Sequence, residues 1–496
     1  MLSKDKICAV VAARDSKSMA RQLAQALLST RTIELRLDWL ATDHEIARFL
    51  RHLAAKPPRA TLLATCRRRE AGGNYRGTIA RQLLHLAEAL RAGCTWYDLE
   101  IESASKCPLE LLDVLLGEGR QIASAHFFHG MPRSLTRTVR QLRSTGPEAI
   151  KIAALCDSLA SGLRLLALAR RRQDVIAVPM GEVAMPLRIL AHRLGSAFSY
   201  APVEQPTAAG QVSLAEMIGL YRADRITRRT RVYGVIGDPV AHSLSPQLHN
   251  AGFHSRKMDA VYIPFLVHHL RDFLGVIAPL NIAGFSVTLP HKETILRHLH
   301  GCDPLASAIG AVNTVVVRGG GKLYGYNTDY VGVLRALEQR LPLRASRVLI
   351  VGAGGVARAV AFALAQAGAS VCICARRNRR AESLARAVGG QAIARPRLAH
   401  EFFDAIVNAT PVGMYPDVHR SPLESSELNC RLLFDTIYRP ERTKLMQLAA
   451  RRSIEVVSGI EMFIAQGTAQ WEIWTGERAP MVPMRRAVLR ALRKAE

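Results

Sequence analysis

The first two hundred residues alternate between short apolar runs and longer stretches whose apolar positions recur every three to four residues. Eight β-like runs stand at 7–13, 32–38, 60–66, 96–102, 121–127, 149–155, 175–181 and 197–203. Between them, segments such as Ser18–Leu28 and Ile79–Leu90 carry apolar residues at helical spacing. Eight strand-then-helix units in about 220 residues is the count of a closed parallel barrel, so the pattern predicts a (β/α)8 TIM barrel over residues 1–223. A polar, charged stretch around Arg222–Thr230 breaks the pattern, and a new apolar strand opens at Arg231–Gly237. The remainder keeps alternating strands and helices, so the whole chain reads as α/β.

One later stretch has a specific physical use. The apolar run Val348–Val351 enters the turn Gly352-Ala353-Gly354-Gly355-Val356 and then a helix through Leu364. Gly352 permits a tight turn, Gly354 and Gly355 let the backbone approach a pyrophosphate, and the helix points free N–H groups and its positive dipole end at it. The next strand, Ser370–Cys374, ends in Ala375-Arg376-Arg377, where an NAD site carries an acidic residue for the ribose hydroxyls. Arginines there suit a 2′-phosphate, so the expected cofactor is NADP.

Composition bounds the rest. At 496 residues, 49% of them hydrophobic, the chain is long enough for two to four domain cores. No apolar run reaches the length of a membrane span, and Ile7–Ala13 is reached without a signal or transit pattern, so a cytoplasmic protein without membrane contact is expected. The nine cysteines are scattered, and Cys372-x-Cys374 lies on a strand, so neither disulfides nor a metal site are expected. The net charge of +26 attracts phosphate backbones, yet the arginines are spread along helices with no basic tail and no interleaved aromatics. The reading is small anionic substrates and a phosphate-rich cofactor rather than nucleic acid.

In a barrel of this kind, polar groups gather at the carboxyl ends of strands. Strand two offers Glu34 and Arg36, strand three ends at Arg67, strand five carries His126 and strand six Lys151; Arg188 follows strand seven and Gln211 strand eight. Lys151 sits in Ala149-Ile-Lys-Ile-Ala-Ala154, a run that belongs inside the barrel. Burial of the ammonium would favour a neutral amine, which attacks carbonyls; the alternative is a lysine paired to a carboxylate such as Glu34. An imine lysine beside the imidazole of His126 would have both an electron sink and a proton shuttle, with His129 a competing candidate.

These residues resemble a family. Glu34-Leu-Arg36-Leu-Asp38, Thr65-Cys-Arg67 with Gly72-Gly73, Ser124-Ala-His126-Phe-Phe128, Ile150-Lys151-Ile152-Ala153 and Met180-Gly181 with Pro186-Leu-Arg188 are similar to the type I 3-dehydroquinate dehydratases over about residues 5–221. The resemblance implies a Schiff base on Lys151, proton abstraction by His126 beside the imine, and loss of the neighbouring hydroxyl as water. It implies Arg188 on the substrate carboxylate, Arg67 and Gln211 on hydroxyls, Glu34 and Arg36 lining the site, and Thr207 in the loop before Gln211. The chain departs from the family at Ala71, where a glutamate is usual and Glu70 stands one place early, at Phe127 after the histidine, at Leu187 before Arg188, and in the loop Thr207–Gln211.

In the second half, Ala241-His-Ser243-Leu-Ser245-Pro246 places two hydroxyls before a helix. Ser245 followed by Pro246 reads equally as an N-cap, a use that Ser243 lacks. Gly284–Lys292, Gly310–Thr314 and Tyr326–Asp329 end strands with Thr288, Lys292, Asn313 and Asp329, at the positions where open α/β sheets bind ligands. A lysine and an aspartate there form the polar pair that a carbonyl reduction requires, although Lys292 also reads as a surface turn residue. With Gly352–Gly355, Val407–Met414, Phe434–Tyr438 and Gly459–Gln466, these runs resemble the shikimate dehydrogenases over almost all of 231–492.

That resemblance implies a substrate-binding domain over 231–330 and a Rossmann NADP domain over 331–496 whose C-terminal helices return to the substrate domain. Lys292 and Asp329 would be the catalytic pair. Ser243 and Ser245 would bind the substrate carboxylate, Thr288, Asn313 and Gln466 its hydroxyls, and Tyr438 would lie near it. Gly352, Ala353, Gly354, Gly355, Val356, Arg376, Arg377 and Thr410 would hold the cofactor, with Gly459 against the nicotinamide. Ser286 stands where asparagine is usual, and Tyr330, where glycine is usual, would narrow the pocket. The two resemblances explain each other, since dehydratase product is dehydrogenase substrate: the chain resembles the bifunctional dehydratase/dehydrogenases of aromatic amino-acid synthesis. The rival readings are a quinate-directed dehydrogenase with a weakened barrel, and a metabolite-sensing regulatory protein. Oligomeric state is left open.

Overall fold

The structure, a computed structural model, describes residues 5–107, 110, 117, 119–170, 172, 174–205, 210–338 and 340–495. Its first eight strands fall on the eight runs of the hydrophobic pattern: β1 (Ile7–Val11), β2 (Thr32–Arg36), β3 (Thr61–Thr65), β4 (Trp96–Glu100), β5 (Arg120–Phe127), β6 (Ala149–Leu155), β7 (Val175–Met180) and β8 (Ser199–Pro202). Six of the barrel helices have a local reason to begin where they do. Asp15, Thr42, Thr78, Ser134, Ser158 and Ser213 each accept a hydrogen bond from a first-turn backbone N–H, the last two in reciprocal capping boxes.

The strands run in the order β7-β6-β5-β4-β3-β2-β1-β8, and β1 pairs in parallel with both β2 and β8. Among the described residues no ladder joins β7 to β8, so the barrel is nearly closed where a closed one was expected. The seam is bridged by a side chain. Ser196 Oγ accepts from the Ala177 N–H at 3.2 Å and donates to the Phe198 carbonyl at 3.0 Å, and the Ala197 N–H reaches the Val175 carbonyl at 3.2 Å.

Inward positions alternate along each strand, so the barrel interior is layered. Cys8, Leu63, Trp96, Ile122, Ala149, Ile176, Phe198 and Tyr200 form an apolar floor. Two residues further along β4, β5 and β6 come Asp98, Ser124 and Lys151, all buried.

This first unit extends to Thr230 and takes in Phe265–Val276; the second is Arg231–Pro264 with Ile277–Glu496. The second unit holds two six-stranded sheets. One, ordered β10-β9-β11-β13-β14-β12, is built from β9 (Arg231–Gly237), β10 (Ala260–Leu266), β11 (Ile282–Val287), β12 (Gly301–Cys302), β13 (Thr314–Arg318) and β14 (Lys322–Tyr326). In it β9 and β11 are parallel, whereas β13 is antiparallel to both β11 and β14.

The other sheet comprises β15 (Arg347–Val351), β16 (Ser370–Cys374), β17 (Gln391–Ala392), β18 (Phe403–Asn408), β19 (Cys430–Asp435) and β20 (Glu455–Ser458), all parallel, ordered β17-β16-β15-β18-β19-β20. That is the doubly wound dinucleotide-binding order, with its switch point between β15 and β18. The helix Gly459–Thr475 after β20 leaves this sheet for the other: Trp474 Nε1 donates to the Val315 carbonyl at 3.0 Å. Among the described residues no helix is long and apolar enough to cross a membrane.

The seam makes a testable point. Ser196→Ala would leave the buried Ala177 N–H without its partner, a loss of about 1–3 kcal/mol. Calorimetry of the full chain should show the barrel transition moved to lower temperature; an unchanged thermogram would remove the seam role of Ser196.

Candidate active sites

Lys151 is the centre of the barrel site. Its Nζ donates to Asp98 Oδ2 at 2.8 Å and to Glu34 Oε1 at 3.2 Å, and lies 4.3 Å from the centroid of the Tyr200 ring. The alternative of pairing with Glu34 is therefore what the fold provides, with Asp98 as a second and shorter contact. Asp98 is fully buried and shared: Oδ2 also accepts from Arg67 Nη2 at 2.9 Å, and Oδ1 accepts from Ser124 Oγ at 2.5 Å. Burial pushes the Asp98 carboxyl up, but Lys151 and Arg67 outweigh it and hold the group well below the usual range. Glu34 takes a further bond from Thr65 Oγ1 at 2.9 Å.

Around this network the other expected residues converge. Arg36 forms a buried bidentate pair with Asp38, at 2.9 and 2.8 Å, and Asp38 also accepts the Asn74 N–H at 3.1 Å, which ties down the loop after β3. His126 stands at the end of β5 with neither ring nitrogen hydrogen-bonded among the described residues. Burial, then the nearby Arg67 and Lys151, hold its pKa well below the ordinary imidazole value. His129 is exposed and away from this burial. Arg188 is 2% exposed, and its Nε and Nη1 have no partner among the described residues. Burial brings its pKa down to about 10, which marks a cation waiting for an anion. At Gly210, with φ +72°, a Cβ would fall 2.3 Å from the Gly181 carbonyl oxygen, so this position lies directly against the end of β7. Thr207 lies outside the described residues. Glu70 turns outward to Arg68 at 3.0 Å and Ala71 is buried, so no carboxylate from this loop joins the site.

The second unit repeats a lysine and a carboxylate. Lys292 Nζ donates to Asp329 Oδ2 at 2.7 Å, and Asn313 Nδ2 donates to Asp329 Oδ1 at 2.8 Å. Asn313 is fixed in turn by the Thr328 N–H at 2.8 Å, and stands 3.5 Å from Gln466 Oε1, whose amide donates to the Phe463 carbonyl. Thr288 follows β11, its N–H bonded to the Ile236 carbonyl at 3.0 Å.

The two serines exchange the roles expected of them. The helix starts at Ser245 itself, with no side-chain cap on Leu244, and Ser243 Oγ accepts the Ser245 N–H at 3.2 Å. Tyr438 hydrogen-bonds to Ser243, and burial raises its pKa. Tyr330 packs against Ile309, Ala311 and Ala359 and against the dinucleotide-fold core, so it lies at the junction between the lobes.

Gly352 has φ +122°, as the tight turn requires, and Gly354 faces open space where a Cβ would meet nothing within 4 Å. Ala353 and Val356 lie in the same partly buried turn. Gly355 faces the other lobe: a Cβ there would be in van der Waals contact with Lys292 Cδ at 3.4 Å, so the start of this helix lies against the Lys292 side chain. Arg376 and Arg377 are exposed beside the N-terminus of the helix Asn378–Val388, and no acidic side chain pairs with them among the described residues. The Thr410 hydroxyl and backbone N–H are both committed to Asn408 Oδ1, at 2.7 and 3.0 Å, which fixes the turn after β18. Gly459 is bare because the Thr436 and Ile437 carbonyls would lie 2.5 and 2.6 Å from a Cβ.

Several site residues escape the sequence reading. Asp98 and Ser124 complete the lysine network, and the inward alternation Trp96, Asp98, Glu100 is the signal that reveals the first. Tyr262 and Gln470 form a chain beneath the second site: Tyr262 Oη donates to Ser286 Oγ at 2.6 Å, Ser286 to Gln470 Oε1 at 2.8 Å, and Gln470 Nε2 to the Asn313 carbonyl at 3.2 Å. No periodicity announces that chain. Ser286, seen only as a departure from asparagine, is its middle link.

Comparison with known proteins finds relatives for both halves of the chain. The chain matches the family models for type I 3-dehydroquinase over residues 7–228, for the shikimate dehydrogenase substrate binding domain over 235–315, for NADP oxidoreductase, coenzyme F420-dependent, over 347–437, and for the shikimate 5′-dehydrogenase C-terminal domain over 459–489. It is 35% identical, over 96% of its length and 82% of the relative, to a chloroplastic bifunctional 3-dehydroquinate dehydratase/shikimate dehydrogenase of Arabidopsis thaliana. It is 41% identical to an NADP(+) shikimate dehydrogenase of Bacillus cereus, over 53% of this chain and 99% of the relative. Among solved structures, a shikimate dehydrogenase in complex with NADP+ is similar at TM-score 0.51 and 35% identity, covering 54% of this chain and 97% of that one. A shikimate dehydrogenase of Aquifex aeolicus is similar at TM-score 0.50 and 34% identity, covering 53% and 99%.

Because Asp98 neutralises two buried cations, Asp98→Leu should destabilise the barrel by about 3–5 kcal/mol. Its carboxyl is held below the unfolded value of 3.8, so its stabilisation is complete above that pH and is lost only as pH falls through the folded value. Wild type and variant should therefore differ in urea titrations at pH 7 and converge in strong acid; equal midpoints at pH 7 would contradict the network.

Proposed function

Since the chain belongs to the bifunctional 3-dehydroquinate dehydratase/shikimate dehydrogenase family, we propose that it dehydrates 3-dehydroquinate to 3-dehydroshikimate in the barrel and reduces 3-dehydroshikimate to shikimate with NADPH in the second unit. The observation that carries this is the pair of lysine–carboxylate centres, Lys151 with Asp98 and Glu34 inside the barrel on β6, β4 and β2, and Lys292 with Asp329 in the segments that follow β11 and β14.

In the barrel, the Lys151 amine attacks the ring ketone and water leaves as the imine forms. Protonated, the imine keeps the positive charge that the ammonium had, so Asp98 and Glu34 stabilise the electron sink as they stabilised the lysine. Neutral His126 removes a proton from the carbon beside the imine and returns it to the departing hydroxyl, and hydrolysis of the imine frees the product. The unpartnered Nε and Nη1 of Arg188 suit the substrate carboxylate, and Arg67, Arg36, Thr207 and Gln211 would hold its hydroxyls.

In the second unit, Ser243 and Ser245 would bind the carboxylate of 3-dehydroshikimate, with Tyr438 beside it. Thr288, Asn313 and Gln466 would bind its hydroxyls. The Lys292 ammonium would donate to the carbonyl oxygen as it becomes an alkoxide, while Asp329, fixed by Asn313, keeps that lysine aimed. The open face of Gly354 and the unpaired Arg376 and Arg377 fit NADP, whose pyrophosphate and 2′-phosphate they would hold. When bound, NADPH supplies the hydride.

Two experiments test the reading. The protein given 3-dehydroquinate and NADPH should oxidise the nucleotide; Lys151→Ala should abolish this and recover it when 3-dehydroshikimate is supplied. Oxidation from 3-dehydroshikimate alone in the wild type would leave a silent barrel and defeat the bifunctional reading. For the cofactor, Arg376→Ala with Arg377→Ala should raise KM for NADPH on the order of ten-fold or more, since hydrogen bonds to charged groups are worth about 1.5–3 kcal/mol, with little effect on NADH. Equal losses with both nucleotides would rule out a 2′-phosphate role for these arginines.

A further inference from the structure

His126 is aimed by packing alone. Neither ring nitrogen has a hydrogen-bond partner among the described residues, and both are shielded from solvent, although the residue itself is partly exposed. A base held this way needs a surface that fixes its plane, and Phe128, two residues on, provides one. The two rings lie at an interplanar angle of 15° with centroids 6.1 Å apart, an offset stack. Phe128 is 43% exposed, so one face lies on the histidine and the other side meets water.

The loop after β3 is shaped around that ring. Gly72 adopts φ +78°, and a Cβ there would fall 2.1 Å from Phe128 Cζ and 2.4 Å from Cε2. At Gly73 a Cβ would fall 2.0 Å from the Arg67 carbonyl oxygen. The glycine pair thus lets the loop that begins at Arg67 close over Phe128, and Asp38 holds the loop there through the Asn74 N–H.

We propose that Phe128, seated on Gly72, is the positioning residue for His126: it sets the plane of the imidazole and keeps water from its nitrogens during dehydration. The proposal rests on the proton-transfer role given to His126 above. The groups acting on this imidazole are Arg67 after β3, Lys151 on β6, Asp98 on β4 and Arg36 on β2, and burial adds to the cations in keeping it neutral. Taking Phe128 away admits water, lifts the pKa of His126 towards its ordinary value, and so moves the acidic limb of kcat to higher pH, since the base acts in its neutral form.

The test uses the full chain, with reduction of 3-dehydroshikimate in the same sample reporting folded enzyme. Phe128→Leu keeps apolar volume without an aromatic plane; Phe128→Tyr keeps the plane; Gly72→Ala displaces the ring without touching it. For Phe128→Leu and Gly72→Ala, dehydration kcat should fall on the order of ten- to hundred-fold with KM little changed. The acidic limb should move to higher pH, and borohydride trapping of the Lys151 imine with 3-dehydroshikimate should stay at the wild-type level. Phe128→Tyr should restore the wild-type profile. A lower kcat with the limb unmoved, or a rise in KM alone, would overturn the proposal and leave His126 its role. Dehydration persisting in His126→Ala would instead remove the role of His126 and the proposal with it.

Discussion

A lysine ammonium inside a barrel is the constraint on which the first half of this chain depends. The floor beneath it is apolar, from Cys8 and Leu63 to Tyr200, and offers no solvation. The charge has to be met within its own layer, and it is met by Asp98 at 2.8 Å and Glu34 at 3.2 Å. Asp98 then serves Arg67 as well, Ser124 takes its other oxygen, and Thr65 donates to the same Glu34 oxygen as Lys151. Five strands, β2 to β6, are thereby tied through one polar layer. The layer suits imine chemistry because a protonated imine carries the same charge as the ammonium it replaces, so the network need not reorganise while the bonds change.

The same bookkeeping identifies the substrate's charge. Lys151 and Arg67 have carboxylates, and Arg36 has Asp38 in a bidentate pair. Of these four buried cations Arg188 alone has no carboxylate partner among the described residues, and burial lowers its pKa to about 10. The barrel is thus one anion short at Arg188, the place where the proposed reading puts the substrate carboxylate.

How much of this was legible follows from the range of each interaction. The eight strands were readable because barrel strands are bounded locally, by capped helices on one side and apolar runs on the other. Lys151 and His126 stood out because each interrupts such a run. Asp98 did not, because an acid near the end of Trp96–Glu100 looks like a strand boundary until β3, β4 and β6 are in register. The seam between β7 and β8 was invisible for the same reason: strand count predicts closure, whereas the missing ladder depends on how Ser196 and Ala197 meet β7. Ser243 and Ser245 show the limit of local rules. The cap motif was read on the right segment, but which hydroxyl accepts the N–H depended on where the helix begins.

In the second unit the decisive contacts join two lobes whose sequences lie far apart. Gly355, a glycine that the dinucleotide fingerprint assigns to phosphate approach, also faces the Lys292 stem, whose Cδ would lie 3.4 Å from a Cβ placed there. Arg358, one turn along the same helix, donates to the Ile309 carbonyl beside Gly310, whose φ of +68° ends the short helix there. Tyr330, directly after Asp329, packs into the same junction. One helix therefore presents its N-terminus to the cofactor site and its next turn to the substrate lobe, and Lys292 and Asp329 stand between. Fixing that helix fixes the separation between the glycine turn and the Lys292–Asp329 pair, and that is what glycine, arginine and tyrosine contribute at these three positions.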